Sequence, residues 1–145
     1  SYAMAGIRVG YGLASAPEIA TGLDQEGSNF SLTTLGLAAA LAAYGDTDYT
    51  EQLVARITAQ RDALSDGLRA LGLAPLESYS NFVSVETPLP NKRLLEDLLD
   101  LGVVASAWSG AGWERYLRFT VGTEDDTKAT LAALKRALAA SSKVA

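Results

Sequence analysis

Residues 49–71 carry the pattern that most limits how this chain can fold. Leu53, Ile57, Leu64, Leu68 and Leu71 fall on one stripe at helical spacing, with Arg56, Gln60, Arg61, Asp62 and Asp66 around it. That period is the signature of an amphipathic α-helix. Gly72 ends it, because glycine takes the left-handed backbone that closes helices. At ~1.5 Å per residue the helix is about 35 Å long. A stripe of that length suits a coiled-coil seam or, as the preferred reading, a helix that bridges two layers or domains. Gly45-Asp46-Thr47 closes the element before it. Asp48 is expected to cap it, with Glu51 three residues on as a capping box. The chain therefore divides into residues 1–47, a connecting helix at 48–72 and a second part at 73–145.

Composition narrows the chemistry. The chain has 145 residues, 48% of them hydrophobic. That is enough to bury roughly 70% of the extended-chain surface in a core. A net charge of −5 and the lack of any basic run argue against a nucleic-acid partner. There is no cysteine and no histidine, which removes disulfides, thiolate chemistry, Ser-His pairs and the usual metal ligands. No metal site is expected. No apolar run approaches the ~20 residues that cross a bilayer, and no signal peptide opens the chain. A cytoplasmic protein that does not touch membranes is the resulting expectation. The sequence opens on Ser1, inside a motif, and is read as part of a longer chain.

In the first part, Ile7, Val9, Tyr11 and Leu13 alternate with Arg8, Gly10, Gly12 and Ala14. This pattern predicts an extended strand with one face bare except for Arg8, open to close approach by a backbone or ligand. Ser15-Ala16-Pro17-Glu18 is a helix start with Ser as the cap, running to about Leu23. Gly27-Ser28-Asn29 breaks it. Ser31 opens an alanine- and leucine-rich helix to about Tyr44, apolar nearly all round and therefore expected to be buried.

From Leu76 the texture changes to short units. Residues 81–86 read as a strand, with Phe82 on the face opposite Val83 and Val85. Thr87-Pro88-Leu89-Pro90 is a breaker, and 91–101 is a helix stopped by Gly102. Val103 to Trp108 is a second strand, Ser109 to Gly112 a loop and Tyr116 to Val121 a third strand. Leu117, Phe119 and Val121 should face the core; Tyr116, Arg118 and Thr120 share the other face. Thr123-Glu124-Asp125-Asp126 starts the last helix, and the tail from Ser141 is expected to fray. Strand, helix, strand, strand, helix describes a small open-faced α/β sandwich.

Two stretches resemble a known family. Ala5-Gly6-Ile7-Arg8-Val9-Gly10-Tyr11 is similar to the segment after the cofactor lysine of fold type I pyridoxal-phosphate aminotransferases, nearest to the histidinol-phosphate aminotransferase branch. Tyr116-Leu117-Arg118-Phe119-Thr120-Val121-Gly122-Thr123 is similar to that family's Leu-Arg-Ile-Thr-Val-Gly-Thr motif. The resemblance implies an α/β fold: the end of the large cofactor-binding domain (1–47), the connecting helix and the small C-terminal domain. It implies pyridoxal 5'-phosphate as cofactor, amino-acid and 2-oxo-acid substrates, and a homodimer. Arg8 would grip the cofactor phosphate. Arg118 would bind the substrate's α-carboxylate by the bidentate fork that guanidinium offers. Asn81, in Ser80-Asn81-Phe82, matches an Ala-Asn-Phe turn near the active site and is a second substrate contact or a structural residue. The lysine falls eight positions before Arg8, immediately ahead of Ser1. Lys92, Lys128, Lys135 and Lys143 sit in no comparable setting, so no catalytic residue is assigned within the sequence. The ring-stacking aromatic and the aspartate that meets the pyridinium nitrogen belong upstream. By itself the stretch is expected to be inactive.

One departure bears on substrate. The branch carries an arginine on the strand after the small-domain helix, where it helps hold a substrate phosphate. Here the place reads Ala105-Ser106-Ala107-Trp108, which favours an aromatic or apolar amino acid. Two further readings stand beside an aminotransferase. One is a related pyridoxal-phosphate decarboxylase, of the threonine-phosphate type. The other is a non-catalytic binding or dimerisation module.

Overall fold

The computed structural model describes residues 2–27 and 32–141. The break expected at Ser28-Asn29, the helix start expected at Ser31 and the tail after Ser141 lie outside the described residues. The chain forms two compact units, Ser1–Val54 and Ala55–Ala145, with the division inside one long helix.

The first unit begins with a 3-10 turn, Ala5–Ile7, closed by Arg8 in the left-handed conformation (φ 58°). The strand expected from Ile7 to Leu13 does not form; residues 8–14 are irregular. Alternation makes a strand only where a neighbouring backbone completes the ladder, and no described segment pairs here. The close approach expected at Gly10 and Gly12 is absent too, since a Cβ at either would meet open space. It occurs instead at Gly36, where a Cβ would come within 3.2 Å of the Val9 side chain and 3.4 Å of the Ile7 carbonyl.

Helix α1 (Pro17–Glu26) has Pro17 in its first turn, where a missing N–H costs nothing. Its cap is Ala16, without a side-chain bond, and not Ser15. Helix α2 (Thr34–Gly45) is capped by Thr33, whose hydroxyl accepts from Gly36 N–H at 2.9 Å. The expectation that α2 is buried fails: Leu35, Leu37, Leu41 and Tyr44 are exposed, and within the helix Gly36 alone is buried. An all-round apolar helix needs cover on every side, and the described residues of this unit offer one side.

Helix α3 (Thr47–Ala70) is the long helix read from the sequence. Its cap is Asp46 and not Asp48: the Asp46 carboxylate accepts from Tyr49 N–H at 3.2 Å. At its other end Gly72 N–H donates to Arg69 O and Leu73 N–H to Leu68 O, the double closure that a left-handed glycine (φ 79°) permits. Helix α4 (Asn91–Asp100) ends in the same way at Gly102.

In the second unit, β1 (Ala74–Pro75), β2 (Phe82–Glu86), β3 (Ser106–Ala107) and β4 (Tyr116–Thr120) form an antiparallel sheet in the order β1-β2-β4-β3. Val83, Val85, Leu117 and Phe119 point to one face, onto Leu64 and Leu68 of α3, Leu94 and Leu98 of α4, and Ala133, Leu134 and Ala137 of α5 (Glu124–Ser141). All these residues are at most 5% exposed. The expected α/β sandwich is thus present, with β1 as an added edge. The strand expected over 103–108 shrinks to two residues; at its start, Val103 N–H is taken by Leu98 O in closing α4 and is not available to a ladder.

Candidate active site

The sheet's other face is open, and its register decides who meets whom. Arg118 on central β4 stands opposite Ser84 of β2 on one side and Ser106 of β3 on the other. Phe82 lies opposite Thr120, and Glu86 opposite Tyr116. The guanidinium carbon lies 5.0 Å from the Phe82 ring centroid and 5.6 Å from that of Trp108. The two centroids are 6.3 Å apart, so the rings form a corner around the cation and not a sandwich. Ring faces attract a guanidinium, more strongly as water is excluded.

Trp108 builds most of that corner. Its N–H donates to Tyr116 O at 3.3 Å, extending the β3–β4 ladder by one residue. Its indole then crosses β4, and Nε1 donates to Ser84 Oγ at 2.9 Å. This explains why Ser84, on the open face, is only 6% exposed. Trp113 packs behind Trp108 (5.8 Å) and against Tyr116 (4.8 Å). The carboxylate on this face, Glu86, is engaged by Arg115 at 3.6 Å and by the Tyr116 hydroxyl at 3.5 Å. Among the described residues no carboxylate pairs with Arg118. A half-buried fork beside apolar rings, with no internal counter-ion, is suited to an external anion.

The loop that carries the two tryptophans is held from α4. Asn91 is buried, and its side-chain N–H groups donate to Trp108 O (3.2 Å), Trp113 O (3.0 Å) and Tyr116 O (3.2 Å). Its backbone N–H donates to Glu114 O at 2.8 Å, satisfying a helix-end donor. Thr87 N–H donates to Arg115 O, and Arg115 Nε donates back to Thr87 O at 2.8 Å. Asn91 and Ser84 were not singled out from the sequence. Alternation put Ser84 on the open face, yet nothing local said that an indole would reach it.

The other expected site residues lie as follows. Asn81 immediately precedes β2; its carbonyl accepts from Val121 N–H at 2.8 Å and its Oδ1 from Ser80 Oγ at 3.4 Å. Its side chain is exposed beside Phe82. Arg8, in the first unit, is exposed and donates one N–H to its own turn, at Ala5 O (3.1 Å). No described acid pairs with it, so its remaining donors are open to a phosphate. Lys92, Lys128 and Lys135 are exposed on helices, and Lys128 pairs with Glu124 at 2.7 Å.

An α/β chain with an anion-ready arginine on the open face of its small sheet is consistent with part of a fold type I aminotransferase. Residues 1–134 match the family "Aminotransferase class I and II", and the chain belongs to it. Histidinol-phosphate aminotransferase 2 of Caulobacter vibrioides is 36% identical over 138 residues, covering 95% of this chain and 36% of that protein. Histidinol-phosphate aminotransferase of Anaeromyxobacter sp. is 39% identical over 140 residues, covering 96% and 38%. Among solved structures, histidinol-phosphate aminotransferase from Sinorhizobium meliloti in complex with pyridoxal-5'-phosphate superposes with a TM-score of 0.84 at 29% identity, over 96% of this chain and 39% of that one. The chain spans little more than a third of the curated relatives it matches. Among the described residues no helix is long and apolar enough to cross a membrane.

Proposed function

We propose that this chain supplies the substrate-anion and cofactor-phosphate contacts of an aminotransferase, which moves an amino group from a donor to a 2-oxo acid with pyridoxal 5'-phosphate. The observation that carries this reading is Arg118: a half-buried guanidinium without a described counter-ion, in the motif of a family that matches nearly the whole chain. Arg118 binds the donor's anion, and Phe82 and Trp108 keep water from its sides. Asn81, one residue before Phe82, adds a polar contact.

The chain's donors suit the cofactor. Arg8 would hold its phosphate, since a dianion and an exposed, acid-free guanidinium make a short charge-assisted contact. When bound, pyridoxal phosphate supplies an electron sink for the pair released at the donor's α-carbon. The covalent lysine is assigned to the position just before Ser1. On this reading residues 1–47 close the large domain, 48–72 connect, 73–145 form the small domain, and the complete protein is a cytoplasmic homodimer.

Two donors are supported. The curated relatives are named for histidinol phosphate, and the Arg118 fork fits a phosphate as well as a carboxylate. The second donor is an aromatic or apolar amino acid. It is favoured by Ser106 and Trp108, where the branch carries a further cation, and by the aromatic row from Phe82 to Tyr116. The test compares turnover of histidinol phosphate and phenylalanine by the complete protein, with 2-oxoglutarate as acceptor. A strong preference for histidinol phosphate rules out the aromatic donor. Arg118→Ala should lower kcat/KM roughly 10- to 100-fold, because a lost charged hydrogen bond costs about 1.5–3 kcal/mol. Wild-type kcat/KM in that variant would sink the assignment. An absorbance band of the bound cofactor near the visible edge, lost on borohydride treatment, separates an enzyme from a non-catalytic module.

A further inference from the structure

We propose that Trp108 is a positioning residue for Arg118, with Ser84 as its anchor. The inference rests on the reading that Arg118 holds the donor's anion. Arg118 has several rotatable bonds and, within the described structure, no hydrogen-bond or ion-pair partner to select one orientation. Two features replace such a partner. The indole of Trp108 walls the guanidinium on the side toward Tyr116, with its ring centroid 5.6 Å from the guanidinium carbon. That wall is itself fixed at both ends. Its backbone continues the ladder to Tyr116, and its Nε1 reaches across β4 to Ser84 Oγ at 2.9 Å. Ser84 is the register partner of Arg118, so the tether lands beside the residue it confines.

Phe82 closes the corner at 5.0 Å, so two rings flank the guanidinium while its N–H groups stay without a described partner. Ordering a long side chain before the ligand arrives removes an entropy cost from binding. Trp108 thereby acts on anion affinity through Arg118 and has no part in proton transfer. A second feature agrees with a tuned placement: Asn91 secures the loop at the carbonyls of Trp108, Trp113 and Tyr116.

The test uses the complete protein loaded with pyridoxal phosphate and whichever of histidinol phosphate and phenylalanine it turns over. Trp108→Ala should raise KM about tenfold while kcat stays within about twofold, the pattern of lost uniform binding. Trp108→Phe, which keeps a ring without the N–H, and Ser84→Ala, which removes the acceptor, should each raise KM about threefold, as for one neutral hydrogen bond. Both should unfold near the wild-type midpoint, so the result stands even if Trp108→Ala folds poorly. In an Arg118→Ala background the same changes should add nothing, since the residue they act through is gone. Unchanged KM in Trp108→Phe and Ser84→Ala overturns the proposal, as does full additivity with Arg118→Ala. An Arg118→Ala variant with wild-type KM overturns the anion assignment and this inference with it. Turnover of neither donor overturns the aminotransferase reading, and again this inference with it.

Discussion

Asn91 holds the site's scaffold with one side chain. It is 5% exposed and spends its two amide hydrogens on three carbonyls of the 108–116 loop. Replacing it by alanine takes away the Asn91 donor from Trp108 O and one of two donors from Trp113 O and Tyr116 O, which keep the N–H groups of Tyr116 and Trp108, at about 1–3 kcal/mol for the lost bonds of a buried amide. Asn91→Ala should therefore lower the urea midpoint without changing the slope. Asn91→Asp is nearly the same shape but sets a carboxylate against three carbonyl oxygens. It should be the more destabilising of the two near neutral pH and recover part of the loss in acid, where protonation restores one donor. Equal midpoints for the two variants at neutral pH would contradict this account. In the sequence, Asn91 was only the first residue after a breaker. Its role depends on a loop that returns 17–25 residues later, which no local pattern announces.

The start of α5 shows an element whose logic was legible. Thr123 and Asp126 form a reciprocal box: Thr123 N–H donates to Asp126 Oδ2 at 2.8 Å, and Asp126 N–H to Thr123 Oγ1 at 3.2 Å. The backbone bond from Thr123, with the bond from its hydroxyl, holds the Asp126 carboxyl below its usual range. Lys128, by its hydrogen bond and charge, does the same for Glu124. Both groups favour the charged form in the folded state. Their contribution is complete above the unfolded carboxylate range and is lost as pH falls through the lowered folded values. Unfolding midpoints should therefore decline on acidification below about pH 4, the ordinary carboxylate range. Asp126→Ala should flatten part of that decline. An unchanged pH profile in the variant would count against the box. The cap of α3 was read two residues late, since both Asp46 and Asp48 suit an N-cap and only the backbone turn selects Asp46.

Across the molecule, burial is uneven. All the buried apolar residues of the core belong to Ala55–Ala145. In Ser1–Val54, by contrast, Leu13, Leu23, Leu35 and Leu41 are each more than 60% exposed. Stability follows buried apolar surface. Limited proteolysis of the 145-residue chain should therefore remove the first unit and leave a resistant product close to residues 55–145. That product should unfold in one cooperative transition. Survival of the first unit and loss of the second would reverse this picture.

What the sequence determined by itself was written in helical periodicity and in glycine stops. The long helix, both glycine stops, the start of the last helix at Thr123, and the inward pair Leu117 and Phe119 all depend on neighbours a few residues away. The two arginine motifs were legible only through their resemblance to a family. Tertiary structure alone decided three things. Residues 8–14, though alternating, make no strand, because a ladder needs a second backbone. Helix α2, though apolar, finds no cover among the described residues, because burial needs a partner surface. Arg118 is confined, because antiparallel register brings Ser84 beside it and lets the indole of Trp108 cross from the far strand. Register is a relation between segments far apart in the chain, and so it is absent from any single stretch of it.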